Sequence, residues 1–123
     1  MLGDTQLMVR SIRLAERVHR TLGPGFVESI YSRALVAEFQ REEFLVEREK
    51  LIRIRYGNLV VGRHRLDLVI NQRVILELKV SRTIIPVHVE QLRSYLHATD
   101  YPIGLIINFG MPSLQWERVE RKQ

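Results

Sequence analysis

The sequence contains no cysteine, which excludes disulfides, thiolate zinc sites and a cysteine nucleophile together. It has no apolar stretch long enough to span a bilayer. Its start, Met1-Leu2-Gly3-Asp4-Thr5-Gln6, lacks the basic opening and long apolar run of a signal peptide. These absences lead us to expect a soluble, cytoplasmic protein with no membrane partner. No serine stands in the Gly-x-Ser-x-Gly context of a hydrolase elbow, and Gly23-Pro24-Gly25 lacks the lysine of a phosphate-binding loop. The histidines His19, His64, His88 and His97 share no metal-ligand spacing. Repeats, low-complexity tracts and linkers are also missing.

What is present is enough apolar material for a core. At 123 residues and 46% hydrophobic, the chain suits one globular domain spanning 1–123 and is too short for two ordinary ones. The formal charge is +5 and the sequence pI about 10.1, a balance compatible with a polyanionic partner, nucleic acid above all. Arg10, Arg13, Arg17 and Arg20 recur at helical spacing, and Arg48, Lys50, Arg53, Arg55, Arg63 and Arg65 cluster along strand-like segments. Either set could track phosphates, or form a solvated helix face and a charged sheet edge that discourages aggregation.

Periodicity predicts a first helix with Met8, Ile12, Ala15, Val18, His19 and Leu22 on its apolar face, ended by Gly23-Pro24-Gly25. His19, on that face, reads as a hydrogen-bonded core histidine. A second helix is predicted from Phe26 to Glu43, with Glu28, Tyr31, Leu35 and Phe39 sharing one side. Strands follow at Leu45 to Tyr56, Leu59 to Ile70 and Val74 to Val80, joined by Gly57-Asn58 and Asn71-Gln72-Arg73, an order that predicts an antiparallel meander. Beyond a loop that stops at Pro86, a third helix from Val87 to Ala98 crosses over to a strand at Ile103 to Phe109. That strand is predicted parallel to the Val74 strand, and Gln115 to Val119 adds an edge strand. The expected fold is an α/β sandwich around a mixed sheet.

The candidate chemistry lies in the acids. In Val74-Ile75-Leu76-Glu77-Leu78-Lys79-Val80, strand alternation puts Glu77 and Lys79 on one face, and a charged side chain in so apolar a strand is costly without a partner. If the preceding segment pairs with it, Asp67 and Glu77 lie on adjacent strands and their carboxylates can converge on a cation. Oxygen-only ligation favours Mg²⁺ or Mn²⁺. An ordinary cross-strand charge pair with Lys79 is the plainer alternative. Glu28, near a helix N-terminus, likewise admits two roles: complementing the helix dipole, or pointing across the sheet at the other two acids.

With these positions placed, the chain resembles the GxxExxY proteins, a branch of the PD-(D/E)XK nuclease superfamily, along nearly its full length. The signature stands as Gly25-Phe26-Val27-Glu28-Ser29-Ile30-Tyr31. Asp67 matches the superfamily aspartate, Glu77-Leu78-Lys79 the (D/E)XK element, Gln91-Leu92-Arg93-Ser94-Tyr95 the QxxxY element, and Ile106-Ile107-Asn108-Phe109-Gly110 the closing strand. Leu66 precedes Asp67 where the superfamily often has proline, which is not a ligand.

The resemblance implies a restriction-endonuclease-like αβββαβ core, a mixed sheet flanked by helices. It implies a Mg²⁺-dependent (or Mn²⁺-dependent) nuclease that hydrolyses phosphodiester bonds in DNA, working alone or as a homodimer. Glu28, Asp67, Glu77 and the backbone carbonyl of Leu78 would hold the metal. Lys79 would orient or deprotonate the attacking water, and Gln91 would brace Lys79 or the phosphate. Tyr31 and Tyr95 would be auxiliary, although each has a plainer role, Tyr31 packing with its hydroxyl bonded to a neighbour and Tyr95 as an amphipathic core aromatic. His88 lies on the loop side of the third helix, where it could approach phosphate. The alternative is a nuclease fold that has lost catalysis and binds nucleic acid or protein.

Overall fold

The computed structural model describes residues 2–122, among which lie three helices and five strands. Helices α1 (Asp4–Leu22) and α2 (Glu28–Arg41) come first. The meander β1 (Val46–Tyr56), β2 (Leu59–Ile70) and β3 (Val74–Lys79) follows. Helix α3 (Pro86–Ala98) then leads to β4 (Ile103–Asn108) and β5 (Gln115–Glu120). The strands form one mixed sheet in the order β1-β2-β3-β4-β5. All neighbours are antiparallel except β3 and β4, which run parallel through the α3 crossover. The expected α/β class and restriction-endonuclease-like arrangement are therefore present.

Two apolar layers sandwich the sheet. On one face Leu7, Met8, Leu14, Ala15 and Val18 of α1 and Tyr31, Leu35 and Phe39 of α2 pack on Leu68, Ile70, Leu76, Leu78, Leu105 and Ile107. On the other, Leu92 and Leu96 of α3 pack on Ile52, Leu66, Val69, Ile75, Ile106 and Val119. Burial of side chains of this size is worth about 1.5–3 kcal/mol each relative to exposure. Because both faces are covered, β3 and β4 read as continuous apolar runs, and Glu77 stands out against them.

The buried side of α1 is wider than the periodic reading gave. Leu7, Ser11 and Leu14 join it, and the Ser11 hydroxyl is satisfied by donating to the Leu7 carbonyl at 2.8 Å. His19 is buried and shares a 2.8 Å hydrogen bond with the Met111 carbonyl, as the apolar-face reading expected. Half of the arginine stripe is taken up internally. Arg10 pairs with Glu42, and Arg17 with Glu38 at 3.0 Å, tying α1 to α2.

Two boundaries differ from expectation. Helix α2 begins at Glu28, because Val27 is extended and the Phe26 N–H donates to the Tyr31 hydroxyl at 3.1 Å. Pro86 opens α3 and does not close the loop before it; a first-turn proline sacrifices no helical hydrogen bond. The His88 imidazole Nδ1 accepts the Ile85 N–H at 3.2 Å, capping that same helix start.

Candidate active site

The β2–β3 ladder runs only from Ile70↔Val74 to Leu68↔Leu76. One residue further, carboxylates replace backbone carbonyls as acceptors. Glu77 Oε2 accepts the Asp67 N–H at 3.0 Å, and Asp67 Oδ2 accepts the Leu78 N–H at 2.7 Å. The two acids thus interlock where the strands part, each satisfying an amide that the ladder no longer serves.

Across the sheet, Glu49 of β1 takes a positive φ of 55°, and the β1–β2 partners step from Arg48↔Leu68 to Lys50↔Leu66 without joining Glu49 to Asp67. Side-chain alternation breaks at the same point: Leu68 packs with the α1/α2 layer and Leu66 with the α3 layer. The distortion turns His64, two residues before Leu66, toward the α3 side. Its Nε2 shares a 3.1 Å hydrogen bond with Glu77 Oε1, and its ring stacks on Tyr95 with centroids 4.0 Å apart.

A cavity of about 260 Å³ opens here, lined by Glu28, Asp67, Glu77, Leu78, Lys79 and Gln91, with His64, His88 and Tyr95 around them. A smaller one of about 200 Å³, lined by Ser29, Ser32 and Arg48, shares Glu28, Asp67 and Leu78 with it. The fold therefore brings Glu28, Asp67, Glu77, Lys79 and Gln91 to one place from α2, β2, β3 and α3. Tyr95 lies there too. Tyr31 does not: it is fully buried, stacks on Phe109 at 4.4 Å, and donates its hydroxyl proton to the Gly23 carbonyl. Its contribution is to hold the Gly23–Phe26 turn that leads into Glu28.

The electrostatics follow from crowding acids in a small, partly dry space. Burial, then the Asp67 charge, pushes the Glu77 carboxyl up to about 9, with Lys79 acting the other way. Partial burial and Asp67 also raise Glu28, which is otherwise exposed at the helix start, and Lys79 again opposes them. Burial lowers both His64 and His88. For Tyr95, burial and the charges of Glu77 and Asp67 raise the phenol.

Among the described residues, no group of three or more His, Asp or Glu side chains is gathered closely enough to hold a metal ion. Asp67 and Glu77 are tied through each other's strand amides, and Glu28 faces the same cavity without completing a cluster. The donor set nonetheless suits a hard divalent ion: every candidate atom is oxygen, and a cation in the cavity would take the place of the proton that burial holds on Glu77. Magnesium in particular uses one or two carboxylates and completes its shell with water and substrate oxygens.

The closing strand is anchored beside Lys79. Asn108 is fully buried and uses both ends of its amide: Oδ1 accepts the Ser81 and Gly110 N–H groups, and Nδ2 donates to the Ser81 carbonyl, each at 3.0 Å. Residue 110 must be glycine, because a Cβ there would lie 2.5 Å from the Ser81 nitrogen.

His64 is the site residue that sequence reasoning missed. Strict alternation sets position 64 on the face away from Asp67, so only the break at Asp67 brings the two into one cavity. The signal available was a histidine three residues before a candidate acid.

This sheet, with its acids at the point where two central strands diverge, defines an α/β protein of the restriction-endonuclease-like class. The sequence matches the PD-(D/E)XK nuclease superfamily over residues 5–119, and the chain belongs to that superfamily. Among solved structures it is similar to an alkaline exonuclease from Laribacter hongkongensis, with a TM-score of 0.55 at 13% identity, covering 99% of this chain and 73% of that one. It is also similar to SSO0001, with a TM-score of 0.56 at 19% identity, covering 93% of this chain and 63% of that one. At such identities the likeness is one of fold. No curated protein matches the sequence.

Proposed function

We propose that this chain is a metal-dependent nuclease of the GxxExxY branch that hydrolyses phosphodiester bonds in DNA. The observation that carries the reading is the interlocked Asp67–Glu77 pair, set in one cavity with Glu28, Lys79 and Gln91. Asp67, Glu77, Glu28 and the Leu78 carbonyl would hold Mg²⁺ or Mn²⁺, which when bound polarises the phosphodiester and lowers the pKa of water. Lys79, half-buried on the same face of β3 as Glu77, orients the attacking water and offsets charge gathering on the phosphate. Gln91, exposed on α3 and lining the same cavity, would brace Lys79 or the phosphate oxygens with its amide. Asp67 and Glu77 keep their amide hydrogen bonds, which fix the strand ends and hence the position of Lys79.

Incubation with Mn²⁺ and linear, nicked, branched and single-stranded DNA tests the proposal. Wild type cuts at least one substrate, and Lys79→Ala lowers the rate about 10²–10⁴-fold. No cleavage of any substrate, with Lys79→Ala indistinguishable from wild type throughout, would refute it.

A second reading has one observation in its favour. The same carboxylates serve backbone amides and no closed three-residue cluster exists among the described residues, so the acids could be structural and the chain a module that binds nucleic acid or protein. Salt-dependent DNA binding without cleavage, indifferent to chelator, would select it.

A further inference from the structure

Of the lysines and arginines on β1 and β2, two already have partners. Lys50 pairs with Glu47 at 2.8 Å, while Arg48 donates to Ser32 and lies 3.9 Å from Glu49. Among the described residues, Arg53, Arg55, Arg63 and Arg65 form no ion pair. Arg53 and Arg63 are, moreover, direct cross-strand partners. Like charges placed opposite each other destabilise a sheet.

These arginines sit on a projecting arm. β3 pairs with β2 only as far as Leu68, whereas β1 and β2 continue as a two-stranded ribbon to Tyr56 and Leu59. The ribbon is pinned to α3 by Ile52 and Ile54. Between ribbon and helix runs a groove of about 740 Å³, lined by Arg53, Arg55, Arg93, His97 and Lys122, with Glu90 the sole acid among the described residues that line it and already bonded to Arg93. Tyr95 lines both this groove and the acidic cavity, so the two spaces adjoin at one aromatic ring.

We infer that the groove between the β1–β2 arm and α3 is the track along which a single nucleic-acid strand runs out of the active-site cavity. The inference takes its inner end from the nuclease reading. A positively charged groove with an aromatic at its mouth is the arrangement that holds single strands without regard to sequence. The outer stripe of α1 lacks these features, because Arg10 and Arg17 are spent on α2 acids.

The test is fluorescence anisotropy in EDTA, where nothing is cut, with a labelled single-stranded oligonucleotide and a blunt duplex of the same sequence. Wild type binds the single strand. Arg53→Gln/Arg55→Gln binds it about tenfold more weakly, with a log K against log salt slope shallower by about 1.4, at roughly 0.7 per single-strand phosphate contact. His97→Gln/Lys122→Gln, on the opposite wall, weakens it in the same sense and covers the case in which the arm variant does not fold. Arg13→Gln/Arg20→Gln on α1 binds as wild type does.

Normal binding by both groove variants, equal loss in the α1 variant, or wild-type binding confined to the duplex would overturn the inference. The two claims fail separately. Groove-dependent binding with no cleavage under any metal refutes the nuclease reading alone, and cleavage with groove variants that bind normally refutes the groove alone.

Discussion

The Asp67 N–H donates to the Glu77 carboxylate at 3.0 Å, while the Asp67 carboxylate accepts the N–H of Leu78, the residue after Glu77, at 2.7 Å. This exchange ends the β2–β3 ladder and sets the position of Lys79. It also forces two acids together in a place that burial makes hostile to charge.

Glu77→Gln should stabilise the metal-free protein, because it keeps the size and an acceptor oxygen while removing the buried acid. Asp67→Ala should act oppositely, leaving the Leu78 N–H without its acceptor at a cost of about 1–3 kcal/mol. Thermal melts in EDTA should place the Glu77→Gln midpoint above wild type and the Asp67→Ala midpoint below it.

The pH dependence has a definite sign. Glu77 is raised from 4.5 to about 9 on folding, so over that window the folded state holds the proton more tightly than the unfolded state. Its contribution is fully present below about pH 4.5 and is lost as pH rises toward 9. In EDTA, urea midpoints should therefore fall from mildly acidic to alkaline pH, and Glu77→Gln should flatten the trend. Asp4, lowered by its hydrogen bond to Arg73, acts in the other direction below its unfolded value, with an effect that solvent screening keeps small.

Gly110→Ala should destabilise the fold by about 1–3 kcal/mol through overpacking, since the obstructing atoms belong to the Ser81 backbone and cannot swing aside. By displacing the turn after Lys79 it should also reduce cleavage more than the stability loss explains. Chemical denaturation and single-turnover assays on the same preparation separate the two effects.

Tyr31→Phe removes the hydroxyl that serves both the Gly23 carbonyl and the Phe26 N–H. It should cost about 1–2 kcal/mol. Because those bonds fix the approach to Glu28, the variant should also bind Mn²⁺ more weakly although Tyr31 lies outside the cavity. Unchanged Mn²⁺ affinity would show that the turn does not position Glu28.

The fold was legible where burial on both faces leaves an uninterrupted apolar run. β3 and β4 are such runs, and the thirteen-residue helix between them dictates a parallel crossover. The acids were legible as exceptions to that pattern: Glu77 in β3, and Glu28 on the side of α2 that carries Tyr31 and Leu35. His64 was not legible, because its position depends on a backbone irregularity at Glu49 and Asp67 that period-two reasoning cannot register. The division of labour among the arginines was hidden for a related reason. Spacing shows Arg10, Arg13, Arg17 and Arg20 as one stripe, but only packing reveals that Glu38 and Glu42 neutralise two of them and leave the arm arginines unopposed.

Calorimetric titration with Mn²⁺ tests most directly whether the Asp67–Glu77 pair is a metal site. Wild type should show saturable binding, with a heat that depends on the buffer because Glu77 surrenders a proton, while Asp67→Ala and Glu77→Ala should give flat traces. A flat trace for wild type, or undiminished binding by both variants, would contradict the assignment and leave the interlocked carboxylates as a purely structural device.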